Sequence, residues 1–522
     1  MKSNNILLYI FIAFVIILIT GAIYIIYNKN NTQVTNDDNE NTTVTTAVSV
    51  VENMKMGIAN YDTMNPILTK NREIVNIDKL IFEPLVNINS EYKAEPCLLK
   101  SLNKVNDTKY EIKIDTSIKW QDGSSFIAKD IQYTINQLKS YNSIYSANVQ
   151  YIQSVDTPDS ETAIINLTQP VLFFEYNLTF PIISSSYYSN EDFQNSTKIP
   201  IGTGMYKIAS IGNDNILLIR NDRWRNLKTS TPKTESITIH KYNSAGEIFN
   251  TFKLGNIDIT NTYMPNYYEY VGTMGYNKKE YRGRNYDFIS FNCQDLITSD
   301  VSVRRAINYA INKNTIVSTV FNGTKWISQG PLDYGSYLNC NDNQIQYNQD
   351  TAKEELEKGN WVYANNKWQK NINGYVKTLT LSLIVNKDNQ DRINVANSIK
   401  EQLAEIGIVV NITTVSDDKY NDYINNKNYQ LLLTGITNSI NPDLSYFYGN
   451  NNLANYNNDS IISKINTLDN YSEIQKIANQ EVPYIGLYRD KAILIMNANV
   501  GGDFAPNYYS IYYNFEKWFR QQ

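Results

Sequence analysis

Histidine occurs once in these 522 residues, at His240. That scarcity excludes a multi-histidine metal site and the paired-histidine motif of zinc hydrolases. A histidine-dependent triad would have to rest on His240 alone. The residue sits in the strand-like run SITIHKY, where a half-exposed strand position accounts for it. Cysteine is almost as scarce. Cys97, Cys293 and Cys340 are odd in number and lack metal-ligand spacing, which argues against a disulfide framework or a thiolate metal site. Basic charge is not in excess either. The formal net charge is −5, so no electrostatic case exists for nucleic acid. Arg220, Arg223, Trp224 and Arg225 form the most basic aromatic cluster and read as a solvated strand end. A Walker phosphate loop, a serine-nucleophile elbow and a dinucleotide glycine fingerprint are all missing. Carboxylates are plentiful, yet no spacing marks a catalytic pair. The chain reads as a non-enzyme that needs no cofactor and no metal.

What is present begins with an apolar run over residues 6–27, broken only by Thr20 and Gly21. At about 1.5 Å per residue it is long enough for a hydrocarbon core about 30 Å thick. We expect an uncleaved signal-anchor, with residues 1–5 cytoplasmic and the globular part outside the cell membrane. Thr20-Gly21-Ala22 offers the alternative of a small-residue cleavage site. Residues 28–50, rich in Asn, Thr and Asp, read as a flexible tether. Hydrophobic residues at 42% suffice for globular cores beyond it. The 41 tyrosines carry little functional weight, since an AT-rich genome also favours Tyr, Asn, Ile and Lys codons. No internal repeat is visible.

Residues 110–138 are the most informative stretch. Tyr110, Ile112 and Ile114 alternate with charged residues as in a half-buried strand, and Ile118 and Trp120 continue the pattern. Asp122-Gly123 predicts a turn. Ile131, Thr134, Ile135 and Leu138 then follow at helical spacing. Further along, residues 378–385 and 428–436 read as strands. Residues 392–407 read as a helix with Ile393, Ala396, Ile399, Leu403 and Ile406 on one face and Gly407 as its stop. A strand over 408–412 follows. Strand, helix, strand at this spacing predicts a crossover unit and a mostly parallel sheet.

The wording of these segments resembles the family 5 solute-binding proteins, the extracellular receptors of peptide and nickel ABC importers. Residues 119–131 resemble that family's "KWHDGTPFTAEDV", with Ile127 where a helix-capping threonine is usual. Asn65-Pro66 with residues 81–86 resembles "NP…IYEPLV", and residues 201–207 resemble "GTGPYK". Gly255 to Ile259 is similar to "GEVDI", Val303 to Lys313 to "VRRAIAYAIDR", Tyr347 to Trp361 to "YDPEKAKELLEEAGW", and Val482 to Ile485 to "IPYIPL". The matches keep family order over roughly residues 54–518.

The resemblance implies a two-lobed α/β fold of the periplasmic-binding-protein type, in its larger class with an extra inserted subdomain. Lobe I would comprise 51–90, 198–288 and 484–522. The insert would be 91–197, and lobe II 289–483. The implied function is capture of a peptide or peptide-like solute by hinge closure and its delivery to an ABC permease and its ATPase, by a monomer tethered outside a Gram-positive-type membrane. A surface sensory or regulatory receptor on the same fold, coupled to no permease, is the alternative. Expected cleft residues are Tyr263 after one strand, Asn292 at a lobe crossing, and Asn438, Ser439, Asn441, Asp443 and Tyr446 in the loop NSINPDLSY. Peptide receptors of this family often carry an aspartate before a "DP" or "EP" step, which binds the ligand's α-ammonium. Here that position is Asn438 and the acid of the step is Asn441, leaving Asp443 as a substitute. Binding is therefore expected not to depend on a free amino terminus.

Overall fold

The computed structural model describes residues 50–51, 53–189, 191–263, 266–269 and 275–521. The expected anchor, 6–27, and nearly all of the tether lie outside them. Among the described residues no helix is long and apolar enough to cross a membrane.

The segment 110–138 folds as strand, turn and helix. The strand ends at Ile114 rather than continuing through Ile118 and Trp120, because the chain turns at 115–118, where the Ile118 N–H donates to the Asp115 carbonyl at 3.2 Å. The strand Lys109–Ile114 alternates half-buried and buried positions. Trp120 is fully buried, and Gly123, at φ +93°, closes a turn by donating to the Trp120 carbonyl at 2.9 Å. The helix Ala128–Ser140 buries Ile131, Thr134, Ile135 and Leu138. Ile127 has no capping oxygen. Asp130 compensates, accepting from the Ile127 N–H at 3.0 Å, from the Trp120 indole at 3.1 Å, and from the Ser185 N–H and hydroxyl at 2.7 Å each. This unit belongs to a four-stranded antiparallel sheet, Leu99–Asn106, Lys109–Ile114, Thr162–Leu167 and Ile152–Asp156, with a core of its own.

The main sheet has eleven strands among the described residues. At its middle lie two long antiparallel strands, Tyr276–Phe291 and Tyr484–Asn497. On one side of them follow Leu431–Thr437, Thr380–Asn386 and Val409–Val415; on the other, Ile259–Thr262, Asn53–Ala59, Ser236–Tyr242, Asn215–Arg220 and Tyr206–Ile211. The short strand Lys325–Ile327 pairs with Tyr484–Asn497 off this path. The predicted crossover is present: Thr380–Asn386 and Val409–Val415 pair in parallel and are joined by the helix Gln390–Glu405. The sheet as a whole is mixed rather than mostly parallel. Its two central strands must run in opposite directions, since one carries the chain out of one half and the other brings it back. Each half has its own apolar core. One centres on Ile289, Val303, Leu383, Ile399 and Leu433, the other on Met54, Ile81, Tyr206, Ile237 and Trp518. The long strands are irregular between these cores, with register shifts between Arg282 and Tyr286 and between Asp287 and Phe288.

One buried acid runs against this economy. Asp78, at the end of the helix Arg72–Asp78, is 3% exposed, and neither carboxylate oxygen has a hydrogen-bond partner among the described residues. Burial, and secondarily the charge of Asp62, raises its carboxyl well above the usual range. A folded-state value above the unfolded one means the native state holds the proton longer. Stability from this group is therefore full below the unfolded pKa and falls as pH rises toward the folded value. Asp78→Asn is expected to match the parent near pH 4 and to exceed it at pH 8, because asparagine has no proton to hold; the gap is about 1.4 kcal/mol for each pKa unit by which burial raises the carboxyl. Urea denaturation at the two pH values checks this; an equal gap at both would contradict it.

Candidate functional site

The loop after the strand Leu431–Thr437 shapes two adjoining cavities. The smaller, about 300 Å³, is lined by residues 436–444, 446 and 447 together with Tyr92, Pro331, Leu332, Asp333, Ser336 and Tyr508. The larger, about 650 Å³, shares Ser439, Ile440, Asn441, Asp443 and Tyr446. Its other walls come from Lys70, Arg72 and Val75, from segments within 144–151 and 171–179, and from Arg284. Elements packed on both central cores thus face each other across this space.

Local hydrogen bonds fix the loop. Ser439 Oγ accepts from the Asn441 N–H at 3.1 Å, Asn441 Oδ1 from the Asp443 N–H at 3.0 Å, and Asp443 Oδ1 from the Ser445 N–H at 2.8 Å. Such side-chain-to-backbone turns are what Ser, Asn and Asp at two-residue spacing favour. The Asn438 amide donates to the Pro331 carbonyl at 2.7 Å, and its backbone carbonyl accepts from Arg284 Nε at 2.7 Å. Asn441 Nδ2 reaches across to the Leu172 carbonyl at 2.8 Å, the Phe173 carbonyl at 3.3 Å and Asn177 Oδ1 at 3.0 Å. Its amide is therefore engaged in tying the loop to the segment 172–177. Tyr446 is 48% exposed and meets Phe447 edge-on at 5.0 Å.

Five of the seven residues expected from sequence come together here: Asn438, Ser439, Asn441, Asp443 and Tyr446. The other two do not join them. Tyr263 lies beneath Arg72 and borders two smaller cavities next to Lys491. Asn292 lines none of these cavities. Its amide donates to the Lys427 carbonyl at 2.9 Å and its oxygen accepts from Gln294 N and Asn455 Nδ2, a role in bracing the strand end.

The smaller cavity also holds groups that the sequence did not point to. Tyr92 and Tyr508 stack at 4.5 Å, and Tyr92 adopts φ +64°, unusual for a bulky residue. Asp333 is 6% exposed; Oδ1 accepts from the Gly335 N–H at 2.8 Å, while Oδ2 is buried without a partner among the described residues. Its charge reaches both rings. Burial first, then Asp333, pushes the Tyr92 and Tyr508 phenols up. The premise that an asparagine at 438 leaves the cavity without an acid therefore does not hold. Asp333 is carried on a segment held by Arg489, which is 1% exposed, donates to Ser328 Oγ at 3.2 Å and to the Gly330 and Pro331 carbonyls, and lies 4.7 Å over the Tyr286 ring. No spacing in PLDYG announces where its carboxylate will lie; only the Pro and Gly signal a turn.

His240 is partly buried in the strand Ser236–Tyr242, and burial, then Lys55, lowers its pKa. Among the described residues no group of three His, Cys, Asp or Glu side chains is placed to hold a metal ion.

Residues 93–458 match the family "Bacterial extracellular solute-binding proteins, family 5 Middle", and the chain belongs to that family. Its members are binding proteins and not enzymes. The oligopeptide-binding protein AppA of Bacillus subtilis is 22% identical over 489 residues, 87% of this chain and 89% of that protein. The nickel-binding periplasmic protein of Escherichia coli is 23% identical over 344 residues, 62% and 64% of the two chains. Among solved structures, the unliganded open form of the periplasmic murein tripeptide binding protein MppA superposes with a TM-score of 0.75 at 16% identity, covering 91% of this chain and 98% of that one. A nickel ABC transporter structure from Bacillus halodurans gives 0.74 at 18% identity, covering 88% and 98%. At such identities the structural likeness speaks for the fold alone. That fold is the mixed α/β, two-lobed one of periplasmic-binding proteins.

Proposed function

We propose that this protein captures a peptide-like solute between its lobes and hands it to an ABC permease. The observation that carries this reading is the pair of adjoining cavities walled by elements of both halves, with stacked tyrosines, a fixed polar loop and the buried carboxylate of Asp333. Few convergent polar groups among aromatic walls are what a small-ligand site needs. The relative named for oligopeptide binding, matched over most of both chains, supports the same ligand class. In this reading lobe I is 51–90, 198–288 and 484–522, the insert is 91–197, and lobe II is 289–483. The two central strands form the hinge. Asp333 takes the ligand's ammonium in place of the residue at 438. The protein works as a monomer, anchored by residues 6–27; a mature amino terminus near Ile23 would contradict the anchor.

Hinge closure on ligand makes the molecule more compact. Small-angle scattering of residues 49–522 should give a smaller radius of gyration under saturating peptide than without it. An unchanged profile at demonstrated saturation would contradict the hinge.

A further inference from the structure

The larger cavity gathers cations that have no carboxylate to pair with. Lys70, Arg72 and Arg284 line it, and none of the three forms an ion pair among the described residues. Arg72 rests on the face of Tyr263, 5.6 Å from the ring centroid, and Arg284 Nε donates to a neutral carbonyl. Lys79, which lines a separate cavity, has its ammonium 3.8 Å over the Tyr509 ring, also outside any ion pair among the described residues. These charges feel one another. Arg284 is held below its usual pKa by burial, with Arg72 pushing the same way. Lys79 is pushed down to about 7 by burial and then by Arg284.

Of the nearby acids, Asp78 is buried without a partner among the described residues, and burial favours its neutral form, while Asp333 keeps one oxygen unpartnered in the smaller cavity; three others are engaged. Asp443, on the lining, accepts from the Ser445 N–H. Asp62 accepts from the Thr69 hydroxyl and from the Lys70 and Asn71 N–H groups. Asp490, beside Arg72 in a neighbouring cavity, is bound by Lys325 Nζ and Asn285 Nδ2 at 2.6 Å each. A chain of net charge −5 thus keeps a cluster of unpaired cations at one place in its cleft. Like charges held together repel. An anionic ligand relieves that repulsion, and does so more strongly once closure displaces water.

We propose that this cavity selects acidic peptides, with Lys70, Arg72 and Arg284 receiving carboxylates of the ligand's side chains. The inference rests on the peptide reading above. The two cavities meet at residues 439–441, so a peptide with its amino end beside Asp333 extends its following side chains toward the cations.

Calorimetry on the full-length protein with three matched tetrapeptides, Ala-Ala-Glu-Glu, Ala-Ala-Gln-Gln and Ala-Ala-Lys-Lys, tests this. The glutamate peptide should bind about tenfold or more tighter than the glutamine peptide, and the lysine peptide most weakly. In the double variant Lys70→Gln, Arg72→Gln the glutamate-to-glutamine ratio should fall to about threefold or less. Both side chains are exposed, which keeps the fold out of the comparison. Equal binding of the glutamate and glutamine peptides, or a ratio unmoved by the double variant, would overturn the acidic preference alone. Binding of none of the three would overturn it together with the peptide reading.

Discussion

Asp333→Asn is expected to weaken binding of free-amine peptides by roughly ten- to a hundredfold, while amino-terminally acetylated peptides bind parent and variant within about threefold of each other. Asparagine keeps the shape of aspartate and an acceptor oxygen, so the Gly335 N–H that Asp333 accepts retains a partner. What is lost is the charge. A hydrogen bond to a charged group is worth about 1.5–3 kcal/mol net and a neutral one about 0.5–1.5, and an ammonium facing no anion in a buried wall adds a desolvation cost. Asp333 is buried in a cavity walled by Tyr92 and Tyr508, so screening by water is weak there. Asp443, exposed and used by Ser445, should by contrast tolerate replacement by asparagine with a change of about threefold or less. Calorimetry with matched free and acetylated peptides separates the two acids. A large loss in Asp443→Asn and none in Asp333→Asn would return the ammonium to the loop.

Gly202→Ala should destabilise the protein by at least about 3 kcal/mol, or prevent its folding. A Cβ at Gly202 would lie 1.9 Å from the Ile81 carbonyl oxygen and 2.7 Å from its carbon. Those are backbone atoms, unable to swing aside as a flexible side chain would. Ile81 is also pinned from the same direction, since its carbonyl accepts from the Gly204 N–H at 2.8 Å. Gln121 fixes the other side, accepting from the Gly202 N–H at 2.9 Å while its own N–H donates to the Gly202 carbonyl at 3.1 Å. Thermal unfolding of the variant gives the measurement; a melting temperature within a degree or two of the parent would mean that the backbone contact is not there.

Gly202 also illustrates how much of this molecule was legible in its sequence. The stretch 201–207 could be read as a family motif, but the reason for its glycines appears only when Ile81 is folded against it. Segments with a strong period fared well. The strand, turn and helix of 110–138 and the helix near 392–407 are local objects, set by alternation, by a Gly at positive φ and by one apolar face. The direction of the central strands was not local, and a parallel expectation drawn from one crossover did not extend to them. The site divides in the same way. The loop 438–446 is continuous in sequence, and its clustering of Asn, Ser, Asp and Tyr was visible. Asp333, Tyr92, Tyr508, Lys70, Arg72 and Arg284 are scattered over more than 400 residues of chain and converge only through the fold. Asn441 carries a second lesson: the residue lines both cavities, yet its amide is engaged with residues 172–177.

The measurement that bears most directly on the central claim is mass spectrometry of whatever co-purifies with the intact protein under native conditions, followed by release at low pH. The proposed function, with the acidic preference inferred above, predicts short peptides enriched in glutamate and aspartate and carrying free amino termini. A non-peptide ligand, or a metal complex at about one per chain, would contradict it.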